Sequence, residues 1–524
     1  MGQMYYIVYI AEWQHGMNYK KMHLAVEGCC HGDLDKIYGT LQYAIEQKQM
    51  HEQKELAMKS LEGDDDDLLN YVPPTIDLLL ICGDFESIRH ENDLNSMSVP
   101  EKFKEWKDFY KYFAPTPLKS ENEETKVAPF PTLFIGGNHE ASLYLMSLPF
   151  GGFVTDKIFY LGHTGFVQFR KKNIKDGRVL NLRIGGWSGI FKGSDFFKDS
   201  ARVFPPKKEQ GVEQESDKKL GTTLFDEQHV PFSEDAKRSV YHVRNVEFWK
   251  LLNMKLCLDY ENEQPVDIFL SHDWPTGVTR FGDLSNIQKY KDHVMKEINE
   301  SDHKLGNPWS EKLLIELQPK FWFSAHMHCK FSSVVQHGQK VSANSSNNLT
   351  RNTKFLALDK CLPRRDFLQM VNLDHYIETK EETLNSEEGE YYFDLDWLAI
   401  TKLFHAYRYE ISNLLRQSHI QKIQKQSNEL ETALVCEEIF THVKEHSLPF
   451  SKSRQYPLFT KEEIEKEKIW ILERSKIFQN GKYANLRIPT PANYSLGNNE
   501  KTETRVPIEM DPQTTEFLNF LGFD

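Results

Sequence analysis

Five short stretches of the chain combine glycine or serine with side chains that hold cations: GCCHG at 28–32, CGDF at 82–85, GGNHE at 136–140, LSHDW at 270–274 and SAHMH at 324–328. Each follows directly on an apolar run. A lone histidine in such a turn is more often structural than chemical, but five turns in succession argue for one shared site. The chemistry that uses this residue set is displacement at phosphorus, in which two divalent cations about 3.5–4 Å apart clamp the attacking and leaving oxygens. The bridge between them needs a carboxylate with two oxygens, which Asp84 supplies. Cys29, His31 and His328 then offer an anionic group and imidazoles to one cation. Asn138, through its carbonyl oxygen, His272 and His326 suit the other. Residues two apart in a strand share a face, so HMH predicts that His326 and His328 enter one site while Met327 turns into the packing.

The same alternation sends Cys30, Cys82 and Cys329 away from the site and into the core. The elements that must position these turns are legible as apolar runs. MHLAVEG (22–28), TIDLLLICGDF (75–85), PFPTLFIGGNHE (129–140), VLNLRIGGWSGIF (179–191), PVDIFLSHDWP (265–275) and PKFWFSAHMHCKF (319–331) read as buried strands closed by polar turns. Residues 34–61 read as one long polar helix, and EKFKEWKDFYKYF (101–113) has helical spacing. Strands alternating with helices imply an α/β fold, where ligands gather at the C-terminal ends of the strands. Asp64–Asp67 form a block of like charge that stays solvated. Residues 206–228 read as a long loop inside the domain, with Lys207, Lys208, Lys218 and Lys219 as its cations. Beyond residue 345, TKFLALDKCLPRRDFLQMVNL looks like the last sheet segment. Helical patterns dominate after 392, among them TKEEIEKEKIWILERSK with a capping-box start at Thr460 and a short docking helix in DPQTTEFLNFLGFD.

Bulk composition sets the limits. The chain has 524 residues and a formal net charge of −13, which argues against a surface that coats nucleic acid throughout. Bound divalent cations can still supply local positive charge for a polyanion. Seven scattered cysteines do not make a disulfide scaffold, so a reducing compartment is expected. No run approaches the ~18 apolar residues of a membrane span. Met22 directly precedes the first strand, and residues 1–21, which carry no basic segment ahead of their apolar stretch, read as an N-terminal extension.

The ordered set resembles the calcineurin-like metallophosphoesterases, whose pattern is D-x-H, GD, GNH[ED], H and H-x-H; here Cys29 stands at the first Asp. That replacement, together with GCCHGDLDKIY, LLICGDF, LFIGGNHEAS, GGWSGIFK, SVYHVRN, DIFLSHDWP, FWFSAHMHCKF, FLALDKCLPRRDF and DPQTTEFLNFLG, is similar to the RNA lariat debranching enzyme family. The likeness is dense over about 22–370 and patchy afterwards. The N-terminal extension, the stretch KQMHEQKELAMKSLEGDDDD and the length of the 206–228 loop depart from the family pattern.

The resemblance implies a four-layer α-β-β-α sandwich, with a catalytic domain at 22–345, a recognition loop at about 190–240, and a family C-terminal region at 346–524. It also implies hydrolysis of the 2′–5′ phosphodiester at the branch nucleotide of excised introns, with two divalent ions (Fe²⁺, Zn²⁺ or Mn²⁺) and His139 as the general acid. A thiol where relatives carry aspartate softens one pocket, so Zn²⁺ or Fe²⁺ should compete better there than Mg²⁺; alternatively Cys29 only lines it. His242 and Arg244 are candidates for phosphate or branch-point contact. Trp187, Tyr241 and Trp274 either stack on a branch base or belong to the core, and Arg364 and Arg365 either meet RNA or pair with acidic neighbours. The implied partner is branched RNA, with no membrane, and the implied location is the nucleus with shuttling to the cytoplasm. The C-terminal region serves either as a docking surface for splicing-associated proteins or as a brace; nothing in the spacing bears on oligomeric state. A protein phosphatase would follow its GD with an xxDRG sequence, which FESIRH lacks. A DNA nuclease of the same fold would show more basic surface, and a metal-free scaffold would have lost ligands that this chain keeps.

Overall fold

In a computed structural model, residues 22–61, 74–113, 124–172, 179–198, 227–258, 266–337, 351–373, 388–408, 411, 458–477, 483, 486–488, 491, 495 and 506–523 are described. The N-terminal extension, Asp64–Asp67 and the four loop lysines lie outside them. Among the described residues the chain is a mixed α/β protein with two large sheets.

The first sheet takes β1 (Met22–Glu27), β2 (Leu78–Ile81), β3 (Thr132–Phe134), β4 (Gly152–Thr155), β5 (Ile158–Tyr160) and β13 (Leu368–Leu373), in the order β13-β1-β2-β3-β5-β4. Its centre is parallel, and β13 and β4 are antiparallel edges. The second takes β6 (Thr164–Lys172), β7 (Val179–Trp187), β9 (Ile268–Ser271), β10 (Phe321–Ser324), β11 (Phe331–His337), β12 (Arg351–Ala357) and β14 (Glu390–Phe393). Its order is β11-β12-β10-β9-β7-β6-β14, parallel from β12 to β7. A two-stranded pair joins β8 (His229–Val230) to β15 (Val506–Pro507).

Parallel strands buried on both faces should read as continuous apolar runs, and β2 is buried at every position. One apolar cluster draws on both sheets, with Leu24, Val26, Leu78 and Leu80 from the first and Ile184, Leu270 and Phe323 from the second. A second cluster packs Leu34, Ile37 and Leu41 of α1 (Leu34–Leu61) against the first sheet. A third packs helices on the second sheet: α2 (Asn245–Asn253), α3 (Asp292–Glu300), α4 (Pro308–Leu317), α5 (Leu395–Ala406), α6 (Lys461–Ile477) and α7 (Pro512–Phe520).

Several local expectations hold. The long helix spans 34–61. Thr460 Oγ1 accepts the Glu463 amide at 3.1 Å while the Glu463 carboxylate accepts the Thr460 amide at 2.7 Å, the reciprocal start expected for α6. Asp511 caps α7, whose Phe517 and Phe520 are buried.

Three expectations need correction. EKFKEWKDFYKYF is only a 3₁₀ turn at Glu101–Phe103 and a short helix at Phe109–Tyr112, because its last turn is held by Asp108 and Lys111 against the start of α1. The segment read as one last sheet element is two strands in different sheets, β12 and β13. HMH is not a strand: β10 ends at Ser324, and His326 and His328 both adopt left-handed backbone, φ 62° and 49°.

α2 carries one unusual group. Lys250 is buried, its ammonium 4.5 Å from the Trp397 ring centroid and 5.4 Å from that of Phe150. Burial pushes it down to about 7, with Glu247 opposing. Between about 7 and 10.5 the unfolded chain holds a proton that the folded chain has released, so this group makes stability rise with pH there. Lys250→Met is expected to flatten that rise and to increase the melting temperature most below pH 7. Melting curves from pH 6 to 10 check this, and parallel curves for variant and wild type would contradict it.

Candidate metal centre

The five turns leave the C-terminal ends of β1, β2 and β3 in one sheet and β9 and β10 in the other. Their close approach explains the glycines. A Cβ on Gly137 would lie 2.1 Å from Asp84 Oδ1, and one on Gly83 would lie 2.2 Å from His272 Nδ1. His31, Asp84, Glu86, His326 and His328 all have positive φ, five of the eleven such non-glycine residues among those described. Each costs about 1–3 kcal/mol, and such strain concentrates at functional sites.

One group is compact. A ligand atom from each of Cys29, His31, Asp84 and His328 lies within 4.8 Å of the others. His31 Nε2 is 3.3 Å from His328 Nε2 and 3.7 Å from Asp84 Oδ2. Two ring nitrogens that close require a proton or a cation between them. Around a second point, His272 Nε2 is 3.2 Å from Asn138 Oδ1 and 3.4 Å from Asp84 Oδ1. The His326 ring centroid lies 5.1 Å from that of His272. The two oxygens of Asp84 thus face the two groups separately. Ligands bound at about 2.0–2.3 Å sit near these separations from one another, and thiolate, imidazole and carboxylate suit Zn²⁺ or Fe²⁺. The donor set fits divalent cations.

Neighbouring groups fix the imidazoles. His272 Nδ1 donates to the Cys82 carbonyl at 2.7 Å, which leaves the Nε2 lone pair turned inward. His31 Nδ1 faces Glu86 Oε1 at 3.4 Å. Glu140 clamps two turns together: Oε1 accepts the amides of Phe85 (2.6 Å) and Gly137 (3.0 Å), and Oε2 accepts that of Glu86 (2.9 Å). Burial pushes the Asp84 carboxyl up, but His272, His31 and His139 outweigh it and hold the group below the ordinary carboxylate range. The Cys29 thiol is raised by burial and by the charges of Asp84 and Glu27, while its Sγ accepts the His326 amide at 3.2 Å. His328 is pushed down to about 3, by burial first and by His31 next.

His139 sits at the mouth. Its amide donates to Asp84 Oδ1 at 2.8 Å, its Nδ1 is 3.6 Å from Asp84 Oδ2, and its side chain is 35% exposed. Its Nε2 has no partner among the described residues.

The remaining candidates lie apart from this chemistry. Arg244 is fully buried, paired with Glu227 at 2.8 Å and bonded to the Ser239 and His242 carbonyls. His242 is buried with Nδ1 2.7 Å from Asp195. Both are buried among structural partners in this structure. Trp187 and Trp274 are core, and Trp274 Nε1 donates to the Ala325 carbonyl. Tyr241 is half-buried. Cys30, Cys82 and Cys329 pack in the clusters. The roles of Glu86 and Glu140 are not legible in the sequence, because the amide and imidazole partners of a carboxylate are set by tertiary contact.

Fold and site together are consistent with an α/β phosphoesterase that gathers metal-competent side chains at its strand ends. The family profile "Lariat debranching enzyme, C-terminal domain" matches residues 350–524. The chain is 39% identical over 381 residues to Lariat debranching enzyme A of Xenopus laevis, covering 73% of this chain and 54% of that protein. Against the lariat debranching enzyme of Arabidopsis thaliana the identity is 38% over 387 residues, covering 74% and 69%. Against that of Homo sapiens it is 37% over 387 residues, covering 73% and 53%. The chain belongs to the lariat debranching enzyme family, and it spans about half the length of the vertebrate relatives it matches.

Proposed function

We propose that this chain hydrolyses the 2′–5′ phosphodiester at the branch point of excised introns, so that the linear intron can be degraded after splicing. The observation that carries the reading is the convergence of Cys29, His31, Asp84 and His328 within 4.8 Å in a member of a family named for debranching. Cys29, His31 and His328 would hold one divalent cation and Asn138, His272 and His326 a second, Fe²⁺, Zn²⁺ or Mn²⁺, with the Asp84 carboxylate shared between the two groups. Bound there, the cations supply Lewis acidity at the phosphoryl oxygens and make water a competent nucleophile near neutral pH.

The rest is done by the chain's own groups. Asp84 stays ionised because three imidazoles surround it. The Cys82 carbonyl holds His272 in the tautomer that presents Nε2. His139, exposed at the mouth and anchored through its amide, gives a proton to the departing 2′ oxygen. Two sheets sharing one apolar cluster, each with helices packed on it, support a four-layer α-β-β-α sandwich as the scaffold. The substrate is branched RNA, and the C-terminal region meets splicing-associated proteins. The workplace is the nucleus, with shuttling to the cytoplasm. No helix among the described residues is long and apolar enough to cross a membrane.

Anaerobic purification with elemental analysis tests the reading. About two cations per chain are expected, removed by chelation together with branch cleavage; cleavage by metal-free protein would end it. Cys29→Asp, which replaces a soft ligand with a hard one, is expected to shift the activating cation from Zn²⁺ or Fe²⁺ towards Mn²⁺ or Mg²⁺. Identical metal profiles would remove Cys29 from the ligand set.

A further inference from the structure

The link between β12 and β13 crosses from one sheet to the other directly beside the metal turn. Backbone hydrogen bonds tie it there: the Cys29 amide donates to the Asp359 carbonyl (3.3 Å), the Cys361 amide to the Cys29 carbonyl (3.3 Å), and the Gly28 amide to the Phe367 carbonyl (3.0 Å). Cys29 and Lys360 form a parallel bridge. Lys360 is half-buried, level with a candidate ligand, and its charge is felt at both His31 and His328. Among the described residues it makes no ion pair. The adjacent Asp359 is spent, with Oδ1 accepting the Lys360 amide at 2.7 Å and Oδ2 3.3 Å from Arg365.

Two more cations lie nearby, Lys291 near that carboxylate and Arg364 on the crossover. The charge of Lys291 reaches Asp359 and Cys329, and Arg364 stands exposed at φ 62° on the crossover itself. Neither makes an ion pair among the described residues. An ammonium with no ion-pair partner beside the site is open to an anion that a ligand brings. In a chain of net charge −13, cations left unpaired beside a phosphodiester site are set there for phosphate.

We propose that this crossover is the backbone rail for RNA, with Lys360 taking the phosphate next to the scissile one and Lys291 and Arg364 taking phosphates further along the strand. The inference rests on the debranching reading for its substrate. Contacts of this kind hold register without reading bases, so the rail serves introns of any sequence.

The test is binding of a labelled linear RNA, which is not consumed, by the full metal-loaded chain, read by fluorescence anisotropy between 50 and 200 mM salt. Lys360→Met is expected to raise Kd about tenfold, the size of one charge-assisted hydrogen bond, and to make the log–log salt dependence shallower by about 0.7. Lys360→Arg keeps the charge and is expected to restore the slope. Arg364→Asn, at an exposed site where asparagine tolerates left-handed backbone, is expected to lower the slope by a similar amount whatever happens to the fold of the first variant. Wild-type slopes in Lys360→Met and Arg364→Asn would overturn the rail. So would a loss of affinity in Lys360→Met with its slope unchanged. A wild-type chain that binds linear RNA with the expected slopes yet leaves branches intact would sink the debranching reading and leave the rail standing.

Discussion

His139→Ala is expected to slow turnover of branched RNA by about 10²–10⁴-fold, the usual contribution of a positioned general acid, while affinity for the RNA is kept. The imidazole is 35% exposed, against 20% for His31 and 0% for His272, and its anchoring bond comes from the backbone, so truncation leaves the turn in place. Single-turnover rates beside equilibrium binding check this. Wild-type turnover in the variant would remove His139 from proton transfer.

Asp84→Asn should be more damaging still. The substitution keeps the shape and an oxygen for the His139 amide, but it removes the one charge that both ligand groups face. Losing several kcal/mol of electrostatic stabilisation corresponds to a fall of about 10³-fold or more. Metal content should fall with it, measured on the same preparation. Full metal content with full activity would show that Asp84 is not the bridge.

How far the sequence carries can be read residue by residue. The five turns were legible because buried parallel strands are uniformly apolar and stop at glycine or serine. The same glycines prove to be steric requirements, where a Cβ on Gly83 or Gly137 would meet His272 or Asp84. The capping box at Thr460 was legible because both of its partners lie within one turn. Strand alternation put His326 and His328 at the site for the wrong reason. Positive φ at both positions is imposed by tertiary packing, which a period-two pattern cannot express. Arg244 looked available because its partner Glu227 is 17 residues away in the chain and lies in no shared motif. The crossover at 358–367 was hidden for a related reason, since an apolar run does not say which of two sheets it joins. That left Lys360 unassigned, although it lies beside Cys29.

The most direct measurement of the central claim uses a synthetic RNA holding one 2′–5′ branch among ordinary 3′–5′ bonds. It is incubated with chain stripped of metal and then reloaded with one divalent cation at a time. The dinuclear site predicts release of the branch, only with metal, and with every 3′–5′ bond left whole. A branch that survives under all cations, or 3′–5′ cleavage at the same rate, would contradict it.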